Sequence, residues 1–153
     1  MYLTVHATAG LILAQQLPNP YLVFLASLAA HAVLDLVPHG DELPAHFMRP
    51  QVVRRLLGAA LIDGVTLASF LLLYVTITPN LPTSHLLAGI AGSVLPDALE
   101  GVYLLTQMPR LAGFSRLHAC IHNFTKLKLR WQTGLLLQCL TFTALWLVLI
   151  QLN

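Results

Sequence analysis

Apolar residues crowd into five stretches of the chain, at 3–17, 21–37, 52–77, 84–105 and 131–152. A helix needs about 17–25 mostly apolar residues to cross a bilayer. The last three stretches meet that length, and the first two are short for it. Val, Ile and Thr are frequent, but the runs are too long for strands. They also lack the strict alternation of a membrane barrel. Lipid demands that backbone groups pair within the chain, which helices achieve. The pattern predicts an all-α polytopic membrane protein with five transmembrane helices in one integral membrane domain, 1–153.

A sixth helix is predicted between the fourth and fifth stretches. Phe114, Leu117, Ile121, Phe124 and Leu127 recur at steps of three and four. That is the period of an amphipathic helix lying on the membrane, with Lys126, Lys128 and Arg130 at headgroup level. The first two hairpins also echo one another. One turns at Pro18-Asn19-Pro20 and ends in His31-Ala-Val-Leu-Asp35; the other turns at Pro79-Asn80-Leu81-Pro82 and ends in Leu95-Pro96-Asp97. Parallel duplications of this kind occur in membrane folds.

Composition strengthens the membrane reading. The chain is 57% hydrophobic and 9% charged, against roughly 25% charged residues in a soluble domain. Its eight basic residues are Arg49, Arg54, Arg55, Arg110, Arg116, Lys126, Lys128 and Arg130. All fall in or beside the 38–51 and 106–130 loops, and the opposite turns at 18–20 and 78–83 carry no charge. Positive charge marks the cytoplasmic side. The expected protein therefore sits in the cell's inner or plasma membrane with its N-terminus inside and its C-terminus outside. A net charge of +2 gives no electrostatic case for nucleic acid. No basic segment precedes the first apolar run, so a cleaved signal peptide is not expected. Cys120 and Cys139 lack CxxC spacing and are read as small fillers rather than a disulfide.

Against this background the ionisable residues stand out. There are only six acids and seven histidines. Ionisable groups inside membrane helices are costly and usually face a functional interior. His6 lies near the cytoplasmic end of the first helix. His31 and Asp35, four apart, share a face of the second, about 6 Å apart along its axis. Asp97 and Glu100 share a face of the fourth. His118 and His122, again four apart, share a face of the surface helix, a spacing at which two imidazoles can bind one metal ion. Asp63 lies deeper, in the third helix. A single His near a helix end is ordinarily an interfacial hydrogen bonder, and His46 and His85 read that way. Asp41 and Glu42 read as solvated loop charges. The constellation points elsewhere: four helices and a surface segment send polar groups to one depth. Nitrogen with carboxylate ligands suits Zn(II) first, and Mn(II) or Fe(II) next. The candidate ligands are His6, His31, Asp35, Asp97, His118 and His122, enough for one or two ions.

These motifs resemble the YdjM-like family of membrane-bound metal-dependent hydrolases. The matching elements are the N-terminal His6, the Leu95-Pro96-Asp97 motif, the pair His118 and His122, and the helix with His31 and Asp35. The latter is also similar to the metal-binding helices of the zinc-dependent phospholipase C fold. Leu99 and Glu100 stand where the family usually has Asp and His, the His pair is spaced by four, and the His31–Asp35 element precedes Leu-Pro-Asp. The resemblance implies a hydrolase. A metal ion lowers the pKa of bound water and neutralises charge on a phosphoryl oxygen. Glu100 or Asp63 would serve as general base, and Arg110 and Arg116 would hold a substrate phosphate. Membrane lipid is the expected partner, and a site at headgroup depth favours a lipid or other membrane-associated phosphoester over a soluble substrate. The rival reading is a metal-ion or proton transporter built on the same His/Asp cluster. A structural metal site in a scaffold protein is a third.

The charge asymmetry makes the topology testable. Cysteine-accessibility labelling or reporter fusions place 40–50 and 110–130 in the cytoplasm and Asn153 outside. A cytoplasmic C-terminus would break the five-span arrangement.

Overall fold

The protein is described by a computed structural model. It describes residues 1–39, 50–78, 80–125, 127 and 129–152, the side chains of 50–57 excepted. Readings that fall on Asp41, Glu42, His46, Arg49, Lys126 and Lys128, and on the side chains of Arg54 and Arg55, lie outside the described residues. Six helices follow in order: α1 (Leu3–Gln16), α2 (Pro20–Asp35), α3 (Pro50–Ile77), α4 (Thr83–Thr106), α5 (Ala112–His122) and α6 (Trp131–Gln151). No strand occurs among the described residues.

Three helical segments, Gly58–Ile77, Thr83–Thr106 and Trp131–Gln151, are long and apolar enough to cross a membrane. Their outer faces carry residues that water would penalise, such as Leu61, Ile62 and Leu72 on α3 and Leu136 and Leu140 on α6. The first two helices differ from the five-span expectation in length. At 14 and 16 residues they reach about 21 and 24 Å, short of the roughly 30 Å hydrocarbon core. Pro18-Asn19-Pro20 sets this limit. Leu17 is extended, the Asn19 side chain accepts from the Tyr21 N–H, and Pro20 occupies the first turn of α2.

Helix α1 is the hub. It packs against α2, α3, α4 and α6, and Thr4, Val5, His6, Ala7, Thr8, Gly10, Leu11 and Ala14 are all buried. Ala7 and Leu11 meet Leu67, Phe70 and Tyr74 of α3 and Leu149 of α6 in the apolar core. The hydroxyls are satisfied locally: Thr8 donates to the Thr4 carbonyl at 2.7 Å. The duplicated-hairpin reading fails in packing. α1 pairs with α2, but among the described residues α3 makes no close backbone approach to α4. Instead α4 docks on α1 and α2, because glycines let it come closer there than side chains would allow.

Those glycines fix the geometry of the site. A Cβ on Gly10 would collide with the Gly89 carbonyl, and one on Gly89 would collide with the Gly10 carbonyl. A Cβ on Gly92 would strike the Phe24 carbonyl of α2. Small residues at such crossings let membrane helices approach backbone to backbone. His6 lies one turn from Gly10, His31 one turn beyond Ser27, and Asp97 five residues past Gly92. The two close crossings therefore bring these three side chains to one level.

Helix α5 departs from its expected extent. It ends at His122, with the Asn123 side chain donating back to the Ala119 carbonyl at 2.8 Å. Phe124 and Leu127 fall beyond it. Ser115 and His118 are buried, Phe114 and Ile121 are half-buried, and Leu117 is 61% exposed, as an apolar residue turned toward lipid would be.

Gly10→Ala and Gly89→Ala are expected to lower the thermal midpoint of the detergent-solubilised protein. Overpacking costs about 1–3 kcal/mol, against a gain of up to about 1 kcal/mol from helix propensity. Gly101→Ala and Gly113→Ala meet open space and are expected to hold or raise the midpoint. An unchanged midpoint in Gly89→Ala would show that the crossing does not support the bundle.

Candidate metal centre

Asp35 is the last residue of α2, with its side chain fully buried. Four imidazoles reach it from three helices. His31 Nε2 lies 2.9 Å from Oδ2, His122 Nε2 3.0 Å and His118 Nε2 3.4 Å from the same oxygen, and His6 Nε2 lies 3.1 Å from Oδ1. A second carboxylate, Asp97 of α4, lies 3.5 Å from His118 Nε2, 3.8 Å from His31 Nε2 and 3.9 Å from His6 Nε2. The rings crowd each other as well. His6 stacks on His31 with centroids 3.9 Å apart, and the Nε2 atoms of His31 and His118 are 3.3 Å apart.

Backbone carbonyls set which ring nitrogens face the cluster. His31 Nδ1 donates to the Ser93 carbonyl at 2.7 Å. Pro96 has no N–H for the Gly92 carbonyl one turn earlier, and the neighbouring Ser93 carbonyl is the one that faces His31. With Nδ1 protonated, neutral His31 presents the Nε2 lone pair to Asp35 and His118. A carbonyl or carboxylate on the far ring nitrogen commonly orients metal-binding histidines in this way. His39 repeats the arrangement, donating from Nδ1 to the Val37 carbonyl at 2.6 Å. His118 has a carboxylate behind it: Nδ1 is 3.8 Å from Glu100 Oε2, and the Ser115 hydroxyl donates to Glu100 Oε1 at 2.9 Å.

The result is lone pairs facing lone pairs. Two groups of residues each bring ligand atoms within 4.8 Å of one another: His31, Asp35, Asp97 and His118, and then Asp35, His39 and His122. Both ring nitrogens of His6, together with Asp35 Oδ2 and Glu100 Oε2, are buried without a hydrogen-bond partner. Such atoms are normally satisfied, and each exception calls for a cause. A divalent cation supplies one, because it accepts several of these lone pairs at once. The donor set of imidazole and carboxylate fits Zn(II), Mn(II) or Fe(II), so the buried His/Asp cluster could hold a metal ion. The cluster is not sealed. Side chains of Asp97, Glu100 and His122 keep 20%, 19% and 17% exposure, so it is open on the α4–α5 side.

Of the residues singled out in the sequence, His6, His31, Asp35, Asp97, His118 and His122 converge, with Glu100 directly behind His118. Asp63 has different work. Its carboxylate accepts the backbone N–H of Leu3 and of Thr4 and the Thr4 hydroxyl. It thereby caps the amino end of α1, where the helix dipole favours a negative charge. Arg110 and Arg116 are exposed, Arg116 on the outer side of α5 from His118. His85 lies far along the chain from the cluster and contacts Ser84.

Two participants escaped the sequence reading. His39 is buried, its ring 5.0 Å from that of His122, and the Met1 nitrogen lies 2.9 Å from both His39 Nε2 and Asp35 Oδ1. The available signal was the four-residue recurrence His31, Asp35, His39. Gln138 of α6 is the other. It accepts from the Tyr2 N–H at 2.8 Å and donates to the His39 carbonyl at 3.2 Å. It signals itself only as an amide inside an apolar helix.

Asp35→Ala is expected to abolish stable metal binding, because it removes the anion common to both groups of ligands. Asp97→Ala is expected to weaken it by an order of magnitude or more, and His85→Ala to leave it unchanged. Elemental analysis of the purified variants checks this. A full metal load in both Asp35→Ala and Asp97→Ala would rule out the centre.

No protein-family model, curated protein or solved structure matches this chain, so the chemistry of the centre rests on its own geometry.

Proposed function

We propose that the protein is a membrane-embedded, metal-dependent hydrolase acting on a lipid or other membrane-associated phosphoester. The observation that carries this reading is the open cluster: two carboxylates and several Nε2 lone pairs converge inside an apolar bundle, with Asp97, Glu100 and His122 partly exposed on one side. A structural metal site is closed by protein ligands, whereas a catalytic one keeps a position for water or substrate. The short motifs shared with the YdjM-like family point the same way.

A divalent ion bound here supplies hydroxide near neutral pH and offsets charge on a phosphoryl oxygen. The chain's own residues do the rest. His31, His118 and Asp97 hold the ion, with ring orientations set by the Ser93 carbonyl and by Glu100. Glu100 is the general base in reach of the open side. It takes the proton of the attacking water as the new phosphorus–oxygen bond forms. The bond to the leaving oxygen then breaks, and that oxygen takes up the proton. Asp63, engaged at the α1 cap, is left out of this step. Exposed Arg110 and Arg116, just before α5 and on its outer side, are candidates for contact with headgroup phosphate. The five-span topology with a cytoplasmic N-terminus belongs to the same proposal, and so does Zn(II) as the preferred ion.

The transporter reading finds less support. Beyond His6, α1 is packed by Ala7, Leu11, Leu67, Phe70 and Leu149. Among the described residues no carboxylate or imidazole extends the cluster through that core.

Purified protein in mixed micelles is expected to release phosphate or a phosphorylated headgroup from at least one member of a broad phospholipid and polyprenyl-phosphate panel. Chelation abolishes turnover, and Zn(II) or Mn(II) restores it. Activity falls as the pH is lowered, because protons compete with the metal ion for the ligand lone pairs. Glu100→Gln keeps its metal and loses about 10²–10⁴-fold in kcat, the usual contribution of a general base. Absence of hydrolysis across the panel, with metal or proton flux through proteoliposomes that vanishes in Asp97→Ala, would overturn the hydrolase in favour of transport.

A further inference from the structure

The ligand atoms around Asp35 are too many for one ion. Bonds of about 2.0–2.2 Å to nitrogen and oxygen normally give a four-coordinate shell around Zn(II). His31, Asp35, Asp97 and His118 already make four. His39 and His122 remain, and with Asp35 they form a second group whose ligand atoms lie within 4.8 Å of one another. Asp35 is the only residue in both.

Its two oxygens face different neighbours, although His122 shares Oδ2 with His31 and His118. Oδ2 faces His31, His118 and His122, while Oδ1 faces His6 and the Met1 nitrogen beside His39. A carboxylate can place one oxygen on each of two ions, and paired ions in hydrolytic sites lie about 3.5–4 Å apart.

The backbone adds an independent reason for a cation at the second position. Asp35 is the last residue of α2 and His122 the last of α5. Two helix carboxyl ends therefore converge there, each equivalent to roughly half a negative charge. His39 follows α2 closely; its Nδ1 is tied to the Val37 carbonyl, and its Nε2 lies 2.9 Å from the Met1 nitrogen, whose place a second cation would take. Gln138 fastens the His39 backbone to α6. With three protein ligands and a partly exposed His122, this position has the incomplete shell of a water-binding site.

We infer that the centre is binuclear, with Asp35 bridging one divalent cation on His31, Asp97 and His118 and a second on His39 and His122. The inference rests on the metal-centred reading above and adds a second position to it. Binding at that position requires the Met1 nitrogen to leave His39 Nε2.

Mn(II) titration of the chelator-stripped, detergent-solubilised protein tests it. The expected result is two Mn(II) per chain by elemental analysis, with a spin-coupled electron paramagnetic resonance signal at saturation. His39→Ala and His122→Ala are each expected to hold one ion with an uncoupled six-line spectrum. Because the wild-type stoichiometry and coupling need no variant, misfolding of either variant leaves the test intact. A saturating ratio of one in the wild-type protein would overturn the inference, as would retention of two coupled ions in both variants. Hydrolysis by a one-ion protein would defeat the second position and leave the hydrolase standing. Two coupled ions without turnover on any lipid would support the binuclear centre and remove the hydrolase.

Discussion

Asp35 imposes the main constraint on this bundle. A buried carboxylate carries a desolvation cost of several kcal/mol unless its charge is balanced and its lone pairs are occupied. Here its neighbours are the Met1 ammonium, 2.9 Å from Oδ1, and four imidazoles, one of which, His31, donates its Nδ1–H to a backbone carbonyl. As a neutral ring it meets Asp35 with a lone pair of its own. The ammonium offsets one negative charge, and the remaining lone pairs repel until further positive charge enters, as protons or as a metal ion. Everything nearby follows from that need. Asp97 adds a second anion, Glu100 stands behind His118, and α2 and α5 both end at the cluster.

The close crossings of α4 with α1 and α2 are the mechanical counterpart. Lipid offers little hydrophobic drive for one helix to seek another, so packing and polar contacts must hold them. Gly10, Gly89 and Gly92 allow backbone contact at two crossings, one to two turns from the ligands. A helix is stiff over that distance, so the crossings determine where His6, His31 and Asp97 can meet. Asp63 contributes from the outside by capping α1 and tying it to α3. A carboxylate that resembles a catalytic base in one dimension is a fastening in three.

Much of the site was legible because apolar helices make polar residues conspicuous. His31 with Asp35, Asp97 with Glu100 and His118 with His122 each announced a face by spacing, and charge asymmetry suggested a common depth. What stayed hidden has specific causes. His39 follows the end of α2, where a polar residue is unremarkable, and only its burial against His122 distinguishes it. The role of Asp63 depends on a contact between residues about 60 positions apart, which helical periodicity cannot encode. In α5 the apolar period was real, but eleven residues hold just three turns. The length of the first two helices was not legible, because hydrophobicity alone does not reveal where a Pro-Asn-Pro turn ends them or that one of them is enclosed by protein.

That enclosure has a consequence for biogenesis. Helix α1 leaves the ribosome before the helices that will surround it, and it carries Thr4, His6 and Thr8 on a segment too short to span alone. Its last partner, α6, and the ligands on α5 emerge roughly 110 residues or more after His6. At about 5–20 residues per second that interval is on the order of ten seconds. Throughout it the polar side of α1 must be shielded by the insertion machinery or by α2, its partner in the hairpin. The His/Asp cluster is thus a late product of assembly, closed only after nearly the whole chain has been made.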